Sequence, residues 1–513
     1  MERRVLTEQE ACQDILNQYL SLGEKFQNFP TVTLRLNSHT PDGEVIQAES
    51  VGASTAYQCY AGGVARMVNR DDKRSLNIAR DTLNAGHHTT RMHTHYTWKI
   101  VGATRSVTHD VFHATPFYNS EQQSQRYVEA REGFFLVPNE LTSEQTNIYK
   151  EAADFANGSY FRLLGDLKPL VEERVRAMNP EGGWKVEGTR YRLGGKIDKL
   201  SQEIARYVLP LAQHTTYDHT LNELQLLRLF QASNMEGFTN EAKYLIASMI
   251  GEVSKVDPSI LRELRTPADI DESENKVTDK IQIDKLLDGK MSALLQSPEN
   301  VDRELLGRMA NSSLLANVFD VGMFDPQVSR MREFNFAFAT KLSHAGDSQR
   351  QRHRRTAAGV MPIGQIYDGE ADFITPLVIK ENLQINRKYE EMVVNMFENV
   401  KKALNAGIPK EFALLLLPNA ISVRTIESGD LFDWIHRWKQ RLCYLAQEEI
   451  FFASVNQVED VLKKIPELTP ALQAPCGIRK MHGVKPRCPE GERWCGKPVF
   501  NWEIGEYSEN RLI

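Results

Sequence analysis

Hydrophobic and polar positions along the chain fall into two similar series. Thr31 to Leu36 (Thr-Val-Thr-Leu-Arg-Leu) alternates with period two and predicts a short strand. Thr40-Pro41-Asp42-Gly43 then supplies turn and capping chemistry for a helix starting near Glu44. A helix is predicted over 72–85, stopped by Gly86, and His87-His88-Thr89-Thr90-Arg91-Met92-His93 leads into a strand from Tyr96 to Thr104. Further helices are predicted over 146–164 and 195–207. Val208-Leu209-Pro210-Leu211 stops the second of these, and a helix begins near Asn222 with Leu221, Leu224, Leu227, Leu229 and Phe230 on its buried side.

Residues 262–306 are charged and poor in aromatic residues (Asp269, Asp271, Glu272, Glu274), which reads as a connection containing some helix. Beyond it the plan recurs. Phe334, Phe336 and Phe338 alternate along a strand ending Lys341-Leu342-Ser343-His344, and a long helix is predicted over 383–406. A second Leu-Pro stop falls at Leu417-Pro418. Pro418 to Asp430 repeats the twelve-residue step from Pro210 to Asn222, and again an amphipathic helix follows, with Leu431, Ile435, Trp438, Leu442 and Leu445 on one side. Two weakly similar halves of one fold account for this economically. The expected organisation is 1–262, a connection at 263–306, 307–470, and a tail at 471–513.

Length and charge narrow the function. A chain of 513 residues with 41% hydrophobic and 25% charged residues is too long for one ordinary core and has a globular composition. No apolar run approaches a membrane span, and the start Met-Glu-Arg-Arg lacks a signal-peptide core, which points to the cytoplasm. The net charge of -6 argues against extended nucleic acid as a partner. Against that background Gln349-Arg350-Gln351-Arg352-His353-Arg354-Arg355 is a concentrated positive site. Forked guanidinium groups suit the phosphate of a mononucleotide or a flavin pyrophosphate. The histidines at 87–93 have no interleaved cysteine or carboxylate, so they read as ligand-edge contacts or caps rather than zinc ligands.

In the first half, Thr40-Pro41-Asp42, Gly86-His87, His93 and Ser124-Gln125-Arg126-Tyr127 form one set of motifs. In the second, Gln349, Arg352-His353-Arg354, Leu417-Pro418, Arg424, Arg441 and Ala446-Gln447-Glu448-Glu449-Ile450 form another. Together they resemble the flavin-dependent thymidylate synthases, the ThyX family, over most of 30–260 and 325–455. The resemblance implies an α+β fold of two tandem ThyX-like domains (mixed sheet with long helices), followed by the tail. It implies an FAD-dependent methyltransferase of dTMP biosynthesis: methylenetetrahydrofolate gives a one-carbon unit to the 5-position of dUMP, with NADPH as reductant. Family members are homotetramers with sites between subunits, so a duplicated chain implies a homodimer. No cysteine lies among the matched residues, in keeping with a reduced flavin carrying the hard step.

Neither half holds a full set. The first has His113-Ala114-Thr115 where Arg-His-Arg belongs, Thr216 for the arginine after Leu-Pro, and Ser233 for the helix arginine. The second has Pro362-Ile363-Gly364-Gln365 where Ser-x-Arg-Tyr belongs. Because the losses are complementary, the resemblance implies one pocket drawn from both halves. Ser124, Arg126 and Arg441 would be catalytic, and Gln349, Arg352, Arg424, Arg441 and Arg126 would hold the nucleotide. His87, His93, Arg352, His353 and Arg354 would face the flavin. The alternatives are a non-catalytic nucleotide- or flavin-binding protein, and related one-carbon chemistry on another pyrimidine nucleotide. In the tail, Cys476, His482, Cys488 and Cys495 among glycines and prolines fit a structural zinc set, or else three reduced thiols.

Overall fold

The computed structural model describes residues 7–36, 47–58, 73–115, 118–178, 185–186, 189–190, 194–235, 237–268, 280–491 and 494–513. Thr40-Pro41-Asp42 and the acidic run from Asp269 to Glu274 lie outside them. In the first half a sheet runs in the order β1 (Thr31–Leu36), β2 (His95–Thr104), β4 (His214–Asn222), β3 (Asn119–Gln122), every pairing antiparallel. In the second half the order is β5 (Ser292–Gln296), β6 (Asn335–Ser343), β8 (Ser422–Asp430), β7 (Ala357–Val360), again antiparallel throughout. The two sheets have the same topology, so the repeat seen in the residues is a duplication of the fold.

The local chemistry repeats as well. Helix α1 (Arg105–His113) follows β2 without a loop, and α7 (His344–Arg350) follows β6 in the same way. Thr104 and Ser343 cap them, their hydroxyls accepting from the N–H groups of Val107 and Gly346. Each cap is held from behind by a buried glutamate. Thr104 donates its N–H and hydroxyl to Glu241 of α5 (Asn240–Ser254), at 2.8 and 2.6 Å. Ser343 makes the same pair of bonds to Glu449 of α10 (Glu448–Lys464). Asn222 caps α4 (Glu223–Gln231) and Asp430 caps α9 (Leu431–Arg441), contacts worth about 1 kcal/mol each.

The two Leu-Pro stops meet. Pro210 and Pro418 sit opposite one another in an antiparallel bridge. Leu211 N–H donates to Leu417 O (2.9 Å) and Asn419 N–H to Leu209 O (2.8 Å); Ala212 N–H donates to Leu415 O (2.7 Å) and Ala420 N–H to Tyr207 O (2.8 Å). Each bond has its mate across a local two-fold, which runs between the prolines. The prolines have no N–H to donate, and the pairing uses none. Helix α2 (Ser143–Met178) lies along α8 (Leu383–Asn405), tied by Lys388 to Asp166 at 2.8 Å. One core surrounds the first sheet and α5, and another runs from α2 through the junction into the second half and the tail. No described helix is long and apolar enough to cross a membrane.

Two expectations need correction, and one element carried no signal in the sequence. The helix expected at 146–164 continues to Met178, carrying Pro169 within it, because Leu163, Leu167, Leu170, Val171 and Val175 keep its buried stripe unbroken. The segment taken as a connection contains β5 and α6 (Lys280–Leu287), which pack on the second sheet, so that half begins before residue 307. Finally, Asn119–Gln122 is an edge strand despite its fully polar side chains.

Candidate functional site

Beside the junction, both halves line one cleft of about 190 Å³. The first half contributes Arg105 at the start of α1, the segment Gln122 to Tyr127 after β3, and Arg206 just before Leu209-Pro210. The second contributes Ser348 and Gln349 from α7, Arg352 after it, and Arg441 at the end of α9. Ser124, Arg126, Gln349, Arg352 and Arg441 are thereby brought together in a single chain.

The cleft carries more positive charge than it neutralises. Arg126 pairs with Glu203 and also donates to Leu445 O at 2.8 Å. Arg441 is held by His353, whose Nε2 accepts from Arg441 Nε at 2.6 Å, and by Gln349 O at 3.1 Å. His353 is therefore neutral; burial, with Arg441 and Arg437 beside it, holds its pKa well below the usual imidazole range. Arg206 donates to Gln447 Oε1 at 2.5 Å and Ala345 O at 3.1 Å, but its Nε is buried without an acceptor among the described residues, as is Arg105 Nε. Burial pushes Arg105 and Arg441 down, to about 9 each, and the neighbouring guanidinium groups add to it: Arg206 and Arg352 for Arg105, Arg126, Arg437 and Arg352 for Arg441. All remain cationic at neutral pH. Five guanidinium groups (Arg105, Arg126, Arg206, Arg352, Arg441) with Glu203 among them make a site for a multiply charged anion, which replaces mutual repulsion by charge-assisted hydrogen bonds.

A larger cleft of about 490 Å³ adjoins this one and shares Gln123, Ser124 and Gln125 with it. Lys99, Arg131, Phe134, Gln213 and His214 line its other sides. Gln125 Nε2 and Gln213 Oε1 are buried there and unpaired among the described residues, one a donor and the other an acceptor.

Across the local two-fold, the counterpart of the arginine cleft is different in kind. It measures about 130 Å³ and is lined by His109, Asp110, His113, Gly237, Phe238, Val360, Met361 and Pro362, with no arginine among the described residues. His109 and His113 approach Asp347 at 3.2 and 3.1 Å. This trio has the donor types of a metal centre. However, the Arg350 guanidinium donates to His113 Nε2 at 2.8 Å and pairs with Asp347 Oδ1, occupying one ligand nitrogen and setting a positive charge beside the trio. It is an ion-pair cluster joining the halves.

The family model described as Thy1, thymidylate synthase complementing protein, matches residues 35–259 and 290–467, well over half of the chain and both halves of it. The chain belongs to the Thy1 family. Among curated relatives, a flavin-dependent thymidylate synthase of Clostridium tetani is 28% identical over 236 residues, covering 45% of this chain and 86% of the relative. One of Geobacter sulfurreducens is 27% identical over 242 residues, covering 45% and 85%. A crystal structure of a UMP/dUMP methylase PolB from Streptomyces cacaoi bound with 5-Br dUMP aligns with a TM-score of 0.32 at 16% identity, covering 46% of this chain and 95% of that one.

Not every Thy1 motif residue lies in the cleft. Arg424 sits near the start of β8, bound to Asp284 through two 2.8 Å bonds and to Asp372 at 2.5 Å, so its charge is already used. His87 and His93 are exposed and precede β2, whereas α1 follows its far end; the strand between them spans roughly 30 Å. Arg354 turns to the side of the cleft, over the Tyr118 ring at 4.6 Å and against Asn119 Oδ1 at 3.2 Å. Two residues of the Thy1 cleft, Arg105 and Arg206, were missed in the sequence. Each flanks a feature that was legible, Arg105 the end of the strand at Thr104 and Arg206 the Leu-Pro stop, and a buried arginine at such a place is a signal in itself.

In the tail, Cys476 and His482 occupy opposite ends of α11 (Pro475–Met481), about 9 Å apart along its axis. The tail is nonetheless firmly attached. Tyr444 donates to Tyr507 O at 2.5 Å, and Arg511 lies 4.4 Å over the Phe451 ring while donating to Ala446 O at 2.7 Å.

Proposed function

We propose that the protein is a thymidylate synthase of the flavin-dependent kind, transferring a one-carbon unit from methylenetetrahydrofolate to the 5-position of dUMP, with NADPH as reductant. The observation that carries this reading is the arginine cleft, to which one half gives Ser124 and Arg126 and the other gives Gln349, Arg352 and Arg441. Arg105, Arg206 and Arg352, which form no salt bridge among the described residues, take the phosphate. Arg126 and Arg441 are fixed from behind by Glu203 and His353 and turn their remaining N–H groups to the pyrimidine carbonyls, where they stabilise negative charge as it develops. The Ser124 hydroxyl orients the base. The counterpart cleft, without arginines, holds no nucleotide.

The adjoining cleft fits a flavin. The pyrimidine edge of an isoalloxazine needs both a donor and an acceptor, which Gln125 Nε2 and Gln213 Oε1, unpaired among the described residues, offer, and Arg131 supplies charge for a pyrophosphate, Lys99 being paired with Asp218 at 2.7 Å. When bound, FAD supplies the hydride that converts the transferred carbon to a methyl group. Among the described residues no cysteine lines either cleft. Two chains would give the four fold units of a family tetramer, and Arg354, His87 and His93 would then meet a flavin across the dimer.

The test is direct. Purified protein reconstituted with FAD should show a flavin spectrum bleached by NADPH, and should form dTMP when dUMP and methylenetetrahydrofolate are added. Flavin and dUMP binding without dTMP would instead support a non-catalytic binder, and dTMP-free turnover of another pyrimidine nucleotide would redirect the substrate.

A further inference from the structure

The turn that follows Arg441 faces two ways. Its Leu445 carbonyl accepts from Arg126 in the cleft, and on its other side Cys443 points into a small void of about 20 Å³. Cys476, Cys488 and Cys495 line the same void. Four of the chain's six cysteines thus converge from a turn, the first turn of α11 and two positions in the glycine- and proline-rich tail. All four are free thiols, none joined in a disulfide. A void of this size holds about one water or one small ion.

We propose that Cys443, Cys476, Cys488 and Cys495 bind a structural zinc ion that fastens the tail to the turn carrying Arg441. Four thiolates are an accepted structural zinc set, and the closed shell of protein ligands leaves no open position for chemistry. Binding displaces four thiol protons and leaves a centre with net charge of minus two. Two cations stand beside it: Lys196 donates to Cys495 O at 3.3 Å, and Arg511 holds the neighbouring Ala446 carbonyl at 2.7 Å. Both lower the pKa of Cys495 against the burial that raises it. In the metal-free chain the thiols are costly to ionise, since burial and the other thiols push Cys476 to about 12 and Cys488 to about 11. Among the described residues no three of these sulfurs lie within 4.8 Å of one another, whereas a tetrahedral zinc set brings them to about 3.8 Å. Binding therefore draws the tail inward by a small step, which Gly477, Gly491 and Gly496 in the same segment can follow.

The geometry separates this site from the set read in the sequence, because Cys443 takes the place of His482. Full-length protein purified without chelator should contain about one zinc per chain by mass spectrometry. Cys443→Ser should lose it, and His482→Gln should keep it. Cobalt added to chelator-treated wild-type protein should give tetrahedral ligand-field bands with sulfur-to-cobalt charge transfer, a readout independent of whether the serine variant folds. Zinc loss in His482→Gln with retention in Cys443→Ser overturns the assignment. So does a chelator-treated chain that takes up neither zinc nor cobalt, or a disulfide between any two of the four in protein kept under nitrogen.

Discussion

Pro210 and Pro418 face each other across the local two-fold that relates the two halves, and the paired backbone bonds on either side of them place Arg206 of one half beside Ala345 of the other. This contact makes one cleft from two incomplete sets of motifs. Each half gives this cleft motif residues that the other lacks, Ser124 and Arg126 from the first and Arg352 and Arg441 from the second.

Arginines inside the cleft should matter for the nucleotide, and Arg424 should not. Arg352→Ala and Arg105→Ala are each expected to weaken dUMP binding by on the order of 2–5 kcal/mol in calorimetric titration. Arg424→Ala should leave binding nearly unchanged. It should instead lower stability to urea by about 1–3 kcal/mol, because Asp284 and Asp372 lose a shared partner.

A buried network crosses between the halves. Tyr207 of the first donates to Glu449 of the second at 2.5 Å and accepts from Gln447, which in turn meets Gln349 and Arg206. Tyr207→Phe should cost about 1–3 kcal/mol in urea unfolding, since two buried polar groups lose a partner while the ring still fills its place. A change no larger than experimental error would show that the network does not hold the halves together.

How much of this was legible depends on whether a feature leaves a local mark. The Leu-Pro stops and the capping residues Asn222 and Asp430 were visible because a nine-residue strand fixes their separation in both halves. The strand Ser292–Gln296 was hidden because Ser-Ala-Leu-Leu-Gln favours helix and becomes a strand only by pairing with β6. Arg424 was at the motif's spacing, but its partners Asp284 and Asp372 come from segments without a signature, and they set where its charge goes. Cys443 was passed over because its partners lie more than thirty residues away in the chain.

The cap glutamates make a pH prediction. Burial holds Glu241 at about 8, against the Thr104 bonds that lower it, so the folded chain keeps a proton that the unfolded chain loses near pH 4.3. Its contribution to stability is full below that pH and disappears as pH rises through about 8. Compared with wild type, Glu241→Gln should show a flatter fall of unfolding free energy between pH 5 and 8, the difference approaching at most about 1.4 kcal/mol per pH unit. Parallel profiles would mean that Glu241 is ionised in the folded chain.

The central claim is that each chain builds one nucleotide site from both of its halves. Calorimetric titration of the FAD-loaded protein with dUMP measures this directly. The account predicts one dUMP bound per 513-residue chain, with binding weakened by on the order of 2–5 kcal/mol by Arg126→Ala in the first half and by Arg352→Ala in the second alike. Two dUMP per chain, or binding left unchanged by either substitution, would contradict it.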